Sequence, residues 1–81
     1  MRRRLPQTPL GTELRRSMAT NVRSIREQKG MTQAELAIAS GLGREFVNKV
    51  ERGHVSVALE TIGALAFALE IAPTKLIEPV D

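Results

Sequence analysis

The sequence predicts a compact five-helix all-α domain, and three observations carry that expectation. Of the 81 residues, 42% are hydrophobic but only 2% are aromatic, so the core is to be built from Ala, Leu, Ile and Val, side chains that let helices pack closely. Apolar residues recur three and four apart, and no alternating strand pattern persists. Glycines and prolines punctuate the periodic segments where helices have to stop or start. A chain of this length makes one domain, whose core has to be efficient or be extended by oligomerisation.

Taken in order, residues 1–11 carry two prolines and a glycine and read as an irregular arm. The first helix runs from Thr12 or Ser17 to Lys29, with Leu14, Met18, Val22 and Ile25 on one stripe, and Gly30 stops it. The second starts at Thr32, where Thr32-Gln33-Ala34-Glu35 is a capping box, turns Leu36, Ala37 and Ile38 inward, and ends near Ser40 with Gly41 as its terminal glycine. The third, residues 44–51, buries Val47 and Val50, and Gly53 ends it. The fourth runs from Val57 or Ala58 to Leu69, with Leu59, Ile62, Leu65, Ala66 and Leu69 on one face and Ser56 as a candidate cap. Pro73 opens a short fifth helix, Thr74 to Ile77, and Pro79 closes it. The domain division is therefore a basic, partly irregular arm over residues 1–16 and a helical domain over 17–81.

Several function classes are disfavoured. There is no cysteine, and the single histidine, His54, has no carboxylates beside it at ligand spacing, so neither a disulfide, a metal site nor a cofactor is expected. No glycine-rich phosphate loop or nucleophile constellation supports an enzyme. No segment approaches the ~20 apolar residues of a membrane span, and Arg2-Arg3-Arg4 is not followed by the apolar run of a secretory signal. A cytoplasmic protein with no membrane partner is expected.

Charge is unevenly placed. Residues 1–16 hold five arginines against Glu13, whereas residues 17–81 hold seven Lys/Arg against eight Asp/Glu. Affinity for nucleic acid must then come from where the charges point, or from the arm, which is either a passive tail or a contact to DNA phosphates or the minor groove.

The informative segment is about residues 32–52. Two helices of about eight residues joined by three or four must cross sharply, with Ala37 at the close contact and Gly41 in the turn. Val47 and Val50 anchor the third helix, which leaves Arg44, Glu45, Asn48 and Lys49 exposed. An exposed second helix carrying donors and acceptors is what reading base edges in a major groove requires.

Here the chain resembles the phage repressor and Cro-type family of helix-turn-helix transcriptional regulators. The resemblance covers Met18 to Ile77, about three quarters of the chain. It rests on Ile25-Arg26, Gly30-Met31-Thr32-Gln33, Glu35-Leu36-Ala37, Gly41-Leu42, Val50-Glu51-Arg52-Gly53 and Leu59-Glu60-Thr61. It implies a lambda-repressor-like DNA-binding domain that sets residues 44–51 in the major groove of double-stranded DNA as a two-fold homodimer on a palindromic operator. A restriction–modification controller or a phage-type regulator ranks first; an antitoxin that also holds a toxin protein is the alternative.

Carried over residue by residue, the resemblance puts Arg44, Glu45, Asn48 and Lys49 at base edges. It puts Arg23, Thr32, Gln33, Phe46 and Arg52 near phosphates. Arg26 and Glu51 match a partly buried ion pair of structural role. The expected dimer interface is Ile71, Pro73, Leu76 and Ile77, although Leu76 and Ile77 could instead close the monomer core. Two departures from the family pattern stand out. Gly43 replaces the usual Ser or Thr cap, and His54-Val55-Ser56-Val57 replaces a basic, Asn- and Pro-containing loop. Val55 and Val57 then serve either a dimer seam or packing under the fourth helix. Phe67 is read as core or dimer contact, and Phe46 as mixed packing and backbone contact.

Overall fold

Thr8-Pro9 is a strong helix start, because a threonine hydroxyl can accept a backbone N–H and a proline suits the first helical turn. In a computed structural model, which describes residues 8–80, the first helix begins there. Helix α1 spans Pro9–Gln28, and the Thr8 hydroxyl accepts from the Gly11 N–H at 3.2 Å. It starts three residues before Thr12, so residues 9–16 of the basic segment are helical. Arg2, Arg3 and Arg4 of the expected arm lie outside the described residues.

Helix α1 closes on a left-handed Gly30 (φ 70°), with the Met31 N–H donating to the Arg26 carbonyl at 3.0 Å. Helix α2, Gln33–Ser40, carries both halves of the capping box: Glu35 N–H to the Thr32 hydroxyl at 3.0 Å, and Thr32 N–H to the Glu35 carboxylate at 2.8 Å. Gly41 (φ 76°) turns the chain into α3, Arg44–Glu51. Helix α4 is Leu59–Leu69, and its cap is Ala58, which offers no side-chain acceptor, rather than Ser56.

Among the described residues the architecture is all-α, but with four α-helices rather than five. The expected fifth helix is a single 3-10 turn, Pro73–Leu76. Five residues between Pro73 and Pro79 leave room for little more than one turn.

Every element contributes to one core. Val22 of α1, Leu36 of α2, Val47 of α3, Leu65 and Leu69 of α4 and Leu76 of the 3-10 turn are all fully buried. Each such side chain contributes roughly 1.5–3 kcal/mol on burial. The chain's end is also tied down: the Asn21 amide donates to the carbonyls of Leu76 (3.0 Å) and Glu78 (2.9 Å), locking the C-terminal segment onto α1.

Three apolar residues expected to face inward do not: Ile38 and Leu59 are each more than 80% exposed, and Leu14 is half exposed. Phe67, read as core or dimer contact, is also exposed, which leaves it out of the core. Ile38 stands about 200° round the helix from Leu36, so it faces away once Leu36 is buried. Helix α4 is apolar on nearly every side, and only the side bearing Leu65, Ala66 and Leu69 meets the core.

Candidate nucleic-acid interface

Helices α2 and α3 pack on each other, with α1 against α3 and α4 against α2. Val47 and Val50 fasten one side of α3 into the core. Its other side is left to solvent, where Arg44, Glu45 and Lys49 are exposed and Asn48 is half-buried. Gln33, the first residue of α2, joins these four and Arg52 to line one cleft of about 530 Å³.

A hydrogen-bonded chain runs from the interior to this cleft. Arg26 of α1 grips Glu51 with two bonds, Nε to Oε2 at 2.6 Å and Nη2 to Oε1 at 2.9 Å, and its Nη1 donates to the Met31 carbonyl at 2.7 Å. The two side chains are only 10% and 3% exposed. The Glu51 hydrogen bond raises the Arg26 pKa against the lowering effect of burial, and the charges of Glu51 and Glu27 add to the rise. An arginine so held stays cationic at any working pH. The same Glu51 Oε1 accepts from the Gln33 amide at 3.0 Å, and the Gln33 Oε1 accepts from Asn48 at 3.3 Å. Asn48 Oδ1 in turn lies 3.5 Å from Arg52 Nη1. A buried, doubly bonded ion pair thus fixes which way the Gln33 and Asn48 amides face. The family resemblance leads to an expectation of DNA contacts here, but nothing in the spacing announces that Gln33 and Asn48 bond to each other.

The remaining expected phosphate residues are spread more widely. Thr32 caps α2 at the surface, next to helix N–H groups that lack carbonyl partners. Phe46 is half-buried against the core, and its N–H lies in the first turn of α3, which Gly43 cannot cap by a side chain. Arg23 does not line the cleft; it is exposed and paired with Glu27 at 3.4 Å.

Of the four expected interface residues, Leu76 departs most from that role. It is fully buried and closes the monomer core, as the 3-10 turn folds it inward. Ile71 packs half-buried on the core, Pro73 is exposed and Ile77 is 38% exposed. Val55 and Val57 are half-buried and line an open groove beside Ile77. His54 is exposed, and its N–H donates to the Lys49 carbonyl at 3.0 Å. Among the described residues no group of His, Cys, Asp or Glu could hold a metal ion, and no helix is long and apolar enough to cross a membrane.

Two short helices crossing at a left-handed glycine, with a polar outer face on the second, define a helix-turn-helix. The family model described as helix-turn-helix matches residues 22–76, so the chain belongs to this Cro/C1-type family of transcriptional regulators. One relative is a hypothetical transcription factor from Neisseria meningitidis, 40% identical over 73 residues, covering 90% of this chain and 69% of the relative. Another is the control protein C.SmaI of Serratia marcescens, 38% identical over 65 residues, covering 80% and 77%. Among solved structures, the restriction-modification controller protein C.AhdI from Aeromonas hydrophila superposes with a TM-score of 0.75 at 42% identity, covering 76% of this chain and 94% of that one.

Proposed function

We propose that this regulator binds a palindromic operator as a two-fold homodimer, setting α3 of each copy in the major groove, and acts in the cytoplasm as a restriction–modification controller or phage-type regulator. The observation that carries this is the cleft in which Gln33 of α2 meets the exposed side of α3. Likeness to two control proteins favours the controller role.

Arg44 and Lys49 donate to guanine O6 and N7, and Glu45 accepts from cytosine N4. Asn48 spends one amide N–H on Gln33, which leaves the other for a base edge. Arg52, Thr32 and the opening N–H groups of α2 and α3, those of Gln33 and Phe46 included, hold phosphates. Arg23 reaches a phosphate by giving up its exposed pair with Glu27, an exchange that costs only about 0–1 kcal/mol.

Selection of sites from a random duplex pool at near-physiological salt tests this. Enrichment of a two-fold symmetric site is expected. Weak, salt-sensitive binding with no enriched sequence would overturn it.

A further inference from the structure

We propose that the leading turns of α1 form a homodimer lock, in which Leu10 and Leu14 of each copy enter the apolar groove of the other. This rests on the two-fold reading above and names the surface that makes it.

Residues 9–21 precede the segment that matches the family, yet they form more than half of α1. On this extension Leu10 is 69% exposed and Leu14 50%. Beside them lies a groove of about 410 Å³, walled by Met18, Val50, Val55, Val57 and Ile62. A second groove, of about 620 Å³, runs between Leu10 and the C-terminal Ile77 and Val80. Exposed aliphatic ridge and apolar hollow adjoin on one face, an arrangement that marks an interaction surface.

Three observations make a second copy the occupant. A two-fold contact requires a self-complementary surface, and this face carries both the ridge and the hollow it would fill. Its charges are self-complementary as well. Glu13 and Arg16 are both exposed, line the second groove and have no ion-pair partner among the described residues. An antiparallel approach of two α1 helices centred near Leu14 brings Glu13 of each towards Arg16 of the other. The size also fits: 13 residues line one groove and 9 the other, with Leu14 and Ile77 in both, against roughly 20–30 residues a side in a stable interface. Neither groove shares a residue with the cleft on α3, so a dimer closed here leaves both α3 helices open.

Sedimentation of the untagged full chain without DNA, over a range of concentrations, tests the lock. The natural chain is expected to be a dimer. Leu10→Glu with Leu14→Glu should raise its dissociation constant roughly 100-fold, because each added carboxylate would be buried. Both residues are exposed, so unchanged circular dichroism should verify the fold. Glu13→Arg alone and Arg16→Glu alone should each weaken the dimer, and the two together should restore it. A natural chain that stays monomeric, a leucine variant that stays dimeric, or a charge swap no better than its single changes would overturn the lock. Duplex selection fails or succeeds separately: a dimer with no preferred site leaves the lock standing and removes the operator reading.

Discussion

Arg23 and Arg26 lie three residues apart on α1, and each holds a glutamate, yet the two pairs do different things. Arg23 meets Glu27 at 3.4 Å with the side chains 66% and 55% exposed. Arg26 meets Glu51 at 2.6 Å with the side chains 10% and 3% exposed. Water screens the first pair, and such pairs contribute about 0–1 kcal/mol. The second is sheltered and reaches across the fold from α1 to the end of α3. Its formation cost desolvation, so its value lies in orientation more than in net stability. Removing one partner is another matter, because the other is left charged and buried. The same two residue types therefore fasten a fold or decorate it according to what surrounds them.

Replacing one carboxylate from each pair is the most direct way to break this contrast. Glu51→Ala should lower unfolding free energy by roughly 3–5 kcal/mol in urea titration. A loss no larger than that of a surface variant would mean that the pair is not buried in solution. Next in size is an effect on binding rather than folding. Arg44→Ala should cost about 1–3 kcal/mol on the preferred duplex and relax base choice at one position of each half-site. An equal loss on every sequence would make Arg44 a phosphate contact. Thr32→Ala removes the hydroxyl half of the capping box and should cost about 1 kcal/mol of stability by thermal unfolding. Glu27→Ala should change stability by less than about 0.5 kcal/mol. A double-mutant cycle on each pair would sharpen the comparison, with a coupling well above 1 kcal/mol expected only for Arg26 with Glu51.

The helix-turn-helix was legible because its signals are local. The Thr32 capping box, the Gly41 turn and the Val47–Val50 spacing each act within a few residues, and all are found in the structure. Features that depend on distant partners were legible only where the family resemblance supplied them, as for Arg26 with Glu51. Helix α4 has apolar residues all round, so periodicity could not tell that Leu59 and Phe67 face outward. The sequence leaves Leu76 open between an interface and the monomer core, and only the packing of α1 and α4 against that turn decides for the core. The Thr8-Pro9 start was present in the letters but obscured by a proline-rich neighbourhood that resembles an irregular arm. The amide chain through Gln33 and Asn48 joins residues 15 apart, beyond the reach of a local pattern.

The Asn21 clamp has a practical consequence. By pinning the carbonyls of Leu76 and Glu78 to α1, it brings the two ends of the described chain together, so that Leu10 and Val80 border the same groove. Both ends of the described chain thus border the proposed self-association surface, which makes a fused purification handle a source of interference with it. Hydrodynamic size should therefore be measured after the handle has been cut away, and a fluorescent label is better placed on a distant exposed residue such as Ile38.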